Sequence, residues 1–301
     1  MKASNFFQFS VPALIWGTTW YAIKFQLGIV NPLCSVAYRF AAAGILLLVI
    51  CRLLKLNLRF SLRSHFFMLL QGLLLFSTNY WLVYIAEQHL TSGLVAIVFS
   101  LIIFLNIFFN AVILKGAIRK KVLFGGILGV TGTLLIFKNE LHVFSFSDKN
   151  FYALIISLIS IILASLGNIT SAYNQKNKLP VIQTNAFGMI YGSLLTFVVA
   201  LIAGTELKFE VSAPYIISLL YLAIFGSIAA FSFYLKLIGN IGPDRASYVI
   251  LIAPVIAVIV SIIFEDYNPG KSAVIGIVLL ISGNFLAMSK RTNLANILKW
   301  K

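Results

Sequence analysis

Ten long apolar stretches, separated by short polar connectors, dominate this chain. They run over residues 7–28, 33–54, 65–86, 91–114, 121–137, 150–172, 181–203, 214–236, 244–264 and 271–289. A helix needs about 20 apolar residues to cross the hydrocarbon core of a bilayer, and these stretches have that scale. Runs such as ILLLVICRLL and VIAVIVSIIF are apolar on every face, as helices surrounded by lipid are. Transmembrane strands would be shorter and would alternate in polarity. With 60% hydrophobic and only 10% charged residues, the chain cannot cover a surface that faces water. The expected class is an all-α membrane protein of ten transmembrane helices. Its short connectors make neighbouring helices antiparallel hairpins.

The formal net charge of +15 would suggest nucleic acid on a soluble protein. Here its placement explains it better. With the N-terminus in the cytoplasm, 17 of the 23 basic residues fall in inside segments and four in outside segments; the other two, Lys24 and Arg39, lie within spans. That bias is the positive-inside signature, and it places both termini in the cytoplasm of an inner membrane. No nucleic-acid partner is expected; the partners are the lipid bilayer and a small-molecule substrate. Seven of the eight acids fall outside, and only Asp244 falls inside. Cys34 and Cys51 lie 17 residues apart on one span. Helical rise separates them by about 25 Å, too far for a disulfide.

The chain also repeats itself. Shifted by 151 residues, 90–137 aligns without a gap on 241–288, with Gly125 on Gly276 and Gly132 on Gly283. Earlier spans match more loosely, with Trp16-Gly17-Thr18 against Leu166-Gly167-Asn168. The unit is five spans, giving halves 1–145 and 146–301. An odd unit forces the second copy to enter the membrane from the opposite side, so the halves form an inverted repeat. That is the architecture of many secondary transporters, with a site near the midplane between the halves.

The runs LTSGLVAIVFSLIIFLNIFFNAVILKG and FGGILGVTGTLLIF resemble the end of one EamA repeat. IGPDRASYVILIAPVIAVIVSIIFEDY and VIGIVLLISGNFLAM resemble the second copy, and ALIWGTTWYAIKF resembles the first span. The chain is thus similar to the EamA branch of the drug/metabolite transporter superfamily over nearly its whole length. The resemblance implies two inverted five-helix repeats and metabolite export. It also implies that the fifth and tenth spans hold the structure together or form a homodimer contact. One departure is visible. Members often carry a proline in the fourth and ninth spans; Pro254 is present, but its counterpart here is Ile103, so a proline kink is expected in the second half alone.

Polar and aromatic groups within the spans are the candidates for substrate binding. Trp16, Trp20 and Lys24 share one face of the first span, with Thr19 beside them. Asn79, Tyr80 and Tyr84 follow in the third span, one turn before Glu87. Asn106 in the fourth, Asn168 in the sixth and Tyr234 in the eighth complete the set, since such groups need partners away from lipid. Arg39 lies nearly two turns inside the second span. A guanidinium there needs a carboxylate, carbonyls or water, and an anionic group of a substrate, or Glu87 as a gate, would supply it. The glycines 125, 129 and 132 form a packing face rather than a site. The sequence has no HExxH pattern, no Walker A loop and no acid deep in a span. An enzyme and a cofactor are therefore not expected. The expected activity is alternating-access transport, in the export direction, of small polar or amphipathic, amino-acid-like metabolites. A lipid-intermediate flippase or drug-efflux component, and a non-transporting membrane subunit, are the alternatives.

Overall fold

The computed structural model describes residues 3–144, 147–264 and 269–289. Lys2, Glu265, Asp266, Lys290, Arg291, Lys299 and Lys301, which enter the charge pattern, lie outside the described residues. Ten long helices follow in order: α1 (Ala3–Lys24), α2 (Pro32–Leu53), α3 (Leu62–Glu87), α4 (Gly93–Leu114), α5 (Lys120–Ile136), α6 (Asp148–Lys176), α7 (Val181–Ile202), α8 (Ala213–Ile241), α9 (Tyr248–Phe264) and α10 (Lys271–Met288). Their starts are written locally. Asn31 accepts the Leu33 N–H at 2.9 Å while Pro32 occupies the first turn, where its missing N–H costs nothing. Ser61 caps α3 in the same way through the Ser64 N–H.

Eight of these helices are long and apolar enough to cross a membrane. The two outside that set are α1 and α5. α5 has only 17 residues, whereas the α9 span reaches sufficient length over Pro243–Val260 by including the turn before it, and α1 is diluted by Asn5, Gln8, Ser10, Thr18 and Thr19. The chain is an all-α, multi-pass bundle.

The packing is pseudo-symmetric. α1 packs on α8 and α9 as α6 packs on α3 and α4; α3 meets α7 as α8 meets α2; and α2–α7 and α5–α10 are paired across the middle. The α5–α10 contact shows the relation at atomic scale. A Cβ on Gly125 would lie 2.5 Å from the Gly283 carbonyl oxygen, and one on Gly132 would lie 2.5 Å from that of Gly276. The repeat aligns Gly125 with Gly276 and Gly132 with Gly283, whereas the contact pairs them crosswise. A two-fold axis between the helices produces that exchange, and it runs them antiparallel. Small residues allow the backbones this close.

α3 and α8 share a second irregularity. Each contains a π-helical segment, Gly72–Ser77 in α3 and Leu222–Ala229 in α8, at matching places in the two halves. Such widened turns are frequent at functional sites, because they release a carbonyl and re-aim side chains. Both lie beside the buried centre, where Phe40, Phe76, Phe231 and Tyr234 pack together.

A candidate substrate cavity

Six helices, α1, α3, α4, α6, α8 and α9, line one cavity. Trp16, Thr19 and Trp20 reach it from α1, Asn79 and Tyr80 from α3, Asn168 from α6 and Tyr234 from α8. These seven of the eleven expected site residues meet at one place. The other four do not line it. Tyr84 and Arg39 are buried behind the Tyr80 wall, Asn106 lies behind Asn168, and Lys24 is exposed at the end of α1.

The aromatic part of the wall is fixed by edge-to-face contacts. The Trp16 ring lies 5.1 Å from Phe231 and 4.9 Å from Tyr234, and Trp20 stands 6.0 Å from Phe99. Trp16 Nε1 donates to the Gly226 carbonyl at 3.2 Å, a backbone acceptor within the π segment of α8. Thr19 Oγ1 donates back to the Trp16 carbonyl, and a Cβ on Gly226 would lie 3.1 Å from the Thr19 methyl. Gly226 thus keeps α1 and α8 in close contact. Asn79 donates to the Ser160 carbonyl at 2.8 Å and to Ser160 Oγ at 3.0 Å, which ties α3 to α6.

The floor is amide chemistry. Asn106 donates through Nδ2 to the Pro243 carbonyl at 3.4 Å. A carbonyl only accepts, so this contact orients the Asn106 amide and turns its Oδ1 toward α6. That oxygen accepts from Ser165 Oγ at 2.7 Å and from Asn168 Nδ2 at 3.5 Å. Asn168 Nδ2 also donates to the Tyr234 hydroxyl at 3.1 Å. The orientation of Asn168 follows, and its Oδ1 is buried without a hydrogen-bond partner although the residue lines the cavity. That oxygen is an unpaired acceptor in the wall of the cavity.

Arg39 is 1% exposed. Its Nε donates to Ser227 Oγ at 3.0 Å and its Nη1 to the Tyr84 hydroxyl at 3.5 Å. The guanidinium carbon lies 4.6 Å from the Tyr80 ring centre and 5.2 Å from that of Phe40. No carboxylate is hydrogen-bonded to it among the described residues, although Glu87 stands close enough for its carboxyl to feel the Arg39 charge. The cation is therefore held by hydroxyls and ring faces, with the Tyr80 ring between it and the cavity.

The sequence reading missed several lining residues, among them Val83, Phe99, Ile102, Phe231, Ile250 and Ala253. Tyr80 and Phe231, Val83 and Tyr234, Phe99 and Ile250, and Ile102 and Ala253 are each 151 residues apart. The repeat offset, applied to Tyr80 and Tyr234, would have found their partners. The cavity is built from equivalent positions of both halves.

A cavity lined from both halves of a pseudo-symmetric multi-pass bundle is the arrangement a membrane transporter of small molecules requires. The sequence profile of the EamA-like transporter family matches residues 6–138 and again 151–289. The chain belongs to this family, within the drug/metabolite transporter superfamily, and is a transporter rather than an enzyme. It is 31% identical over 249 residues to the inner membrane transporter YedA of Escherichia coli (strain K12), covering 82% of this chain and 78% of that protein. Protein PagO of Salmonella typhimurium is 24% identical over 96% of this chain and 94% of its own. The transporter YvbV of Bacillus subtilis is 26% identical, covering 92% and 89%. One solved crystal structure shares the fold with a TM-score of 0.79 at 17% identity, covering 99% of this chain and 100% of its own.

Proposed function

We propose that this protein is an inner-membrane exporter of small, amino-acid-like metabolites, working by alternating access between inverted halves 1–145 and 146–301. The observation that carries the reading is the cavity that equivalent positions of both halves build, with Asn168, whose buried Oδ1 has no hydrogen-bond partner, in its wall. An ammonium, amide or hydroxyl group of a solute satisfies that oxygen. The aromatic wall takes an apolar portion, and the Arg39 charge behind Tyr80 favours an anionic end. Together these features select an anionic or zwitterionic solute that is partly apolar. Trp16, Thr19, Trp20, Asn79, Tyr80, Asn168 and Tyr234 contact it, while Arg39, Tyr84 and Asn106 act from behind and Lys24 stands toward the outer surface. The inner-membrane assignment follows the relative YedA and the basic residues of the inside segments. A homodimer would use the lipid-facing sides of α5 and α10, since their glycine faces meet within the chain.

Proteoliposomes containing only this protein should take up radiolabelled amino acids, which a non-transporting subunit would not do. Asn168→Leu should weaken binding of the transported solute roughly 10- to 100-fold, the value of a hydrogen bond to a charged donor, as read by ligand-induced thermal stabilisation. Unchanged affinity would remove Asn168 from the site. Topology is checked separately. Reporter fusions after Arg63 and after Lys301 should read cytoplasmic, and one after Asp148 external.

One feature favours a second reading, movement of a lipid-like or drug-like amphiphile. An apolar groove lies between α1, the start of α8 and α9, lined by Tyr21, Phe25, Ile217 and Val260 and by Thr18 and Tyr221, whose hydroxyls are in contact. Lipid scrambling in the same vesicles, with no amino-acid uptake, would select that reading.

A further inference from the structure

Asp244, the one acid of the inside segments, is 2% exposed. It belongs to the short helical turn Pro243–Ala246 between α8 and α9. Arg119, in the connector that precedes α5, reaches across from the first half. Its Nη1 donates to Asp244 Oδ2 at 3.4 Å and to the Ile241 carbonyl at 3.2 Å. Asp244 Oδ1 is buried without a hydrogen bond, so Arg119 is the carboxylate's one side-chain cation at bonding distance in the described residues. Gly242, at φ +93°, sets the turn; a Cβ there would lie 2.7 Å from Asp244 Oδ1.

The same turn carries the Pro243 carbonyl that orients Asn106. A continuous polar path therefore leaves the cavity at Asn168, passes through Asn106, enters the Pro243–Ala246 turn and ends at the Asp244–Arg119 pair. Every link but Arg119 is buried, and the path crosses between the halves three times, at Asn168–Asn106, at Asn106–Pro243 and at Arg119–Asp244. A buried carboxylate is tolerated while its cation stays. Separating the halves at this end requires breaking that pair.

We infer that Arg119–Asp244 is the latch that holds the cytoplasmic end closed, and that Asn106 couples it to the cavity floor at Asn168. The inference rests on the proposed orientation and on alternating access. A group that bonds Asn168 from the cavity changes the pull on Asn106, and through the Pro243 carbonyl it biases the turn that carries Asp244. Arg119 and Asp244 act at a distance from the solute as positioning residues.

The test needs no identified solute. Cys34 and Cys51, both 0% exposed, are replaced by alanine, and the cavity-lining Ala164 is replaced by cysteine as a reporter. A membrane-impermeant maleimide is applied to right-side-out and to inverted vesicles. The parent should label from the outside only; labelling from the cytoplasmic face, from both faces or from neither overturns the orientation and access reading itself. Given outside labelling, Asp244→Asn and Arg119→Gln should each raise cytoplasmic labelling at least about fivefold, the lower end of ordinary coupling between sites. Arg119→Lys, which keeps the charge, should label like the parent and shows that loss of fold is not the cause. Asn106→Ala should give a similar increase, and Asn106→Ala with Asp244→Asn should add little more, because both cut one path. No increase in the Asp244 and Arg119 variants overturns the latch. Full additivity with Asn106→Ala overturns the coupling.

Discussion

Gly132→Ala should lower the melting temperature of the purified protein by roughly 5–10 °C, an effect out of proportion to one methyl group. The reason is what the methyl meets. Its Cβ would lie 2.5 Å from the Gly276 carbonyl oxygen and 2.8 Å from the Leu280 amide nitrogen. Those are backbone atoms of a packed helix and have no rotamer into which they can withdraw. Overpacking typically destabilises by about 1–3 kcal/mol, and a backbone neighbour puts this site at the upper end. Gly276→Ala should match it, since its Cβ would lie 2.5 Å from the Gly132 carbonyl across the same pseudo-axis. Gly270→Ala is the control: nothing lies within 4 Å of its Cβ and its φ is −68°. Melting followed by loss of the monodisperse chromatographic peak reads all three. If Gly132→Ala melted like Gly270→Ala, the α5–α10 contact would not hold the bundle together.

The glycine faces of that contact were legible in the sequence because they depend on spacing alone; that the fifth and tenth spans use them together was implied by the family resemblance. Glycines four and three residues apart must share a helix face, and a fixed offset of 151 carries them onto their counterparts. The cavity was legible for a related reason. A polar or aromatic group in a span needs somewhere to point other than lipid, which brought Trp16, Asn79, Tyr80, Asn168 and Tyr234 together before any coordinates. The π segments were not legible. Nothing in GLLLFS or LAIFGSIA marks a widened turn, yet that turn sets Gly226 and Ser227 against Trp16 and Arg39. The proline rule also failed to describe α4. It lacks the counterpart of Pro254, yet its helix is interrupted at Leu101, where Ser100 Oγ bonds back to the Ile97 carbonyl at 2.6 Å. A hydroxyl competing for a helix carbonyl loosens the ladder without proline. Arg39 was correctly singled out as a charge within a span. Its seat behind Tyr80 depends on three helices converging, and no one-dimensional pattern encodes that.

Arg39→Met should leave the melting temperature at or above that of the parent while transport falls at least tenfold. Methionine nearly matches the arginine stem in length and removes the charge. Removing the guanidinium also removes the cost of keeping its charge out of water, and the groups that hydrogen-bond it are neutral hydroxyls. Ser227 would not be stranded, since its Oγ also bonds the Leu222 carbonyl at 2.9 Å. Tyr84 would lose a contact of 3.5 Å, the weakest that Arg39 makes. On stability alone the sequence has little reason to keep arginine here, so its use must lie elsewhere. A cation 4.6 Å behind the Tyr80 ring gives that wall a positive field in a region of low dielectric. An anionic end of the solute gains from it, and a cationic solute is repelled. Arg39→Lys should fall between the two, keeping the charge but losing the paired donation to Ser227 and Tyr84. Arg39→Ala should lose both transport and stability, because it also removes the buried stem. The measurements are transport in proteoliposomes and melting temperature, taken together for all three variants. Normal transport by Arg39→Met would make this a structural arginine, and a purely cationic solute would contradict the proposed field directly.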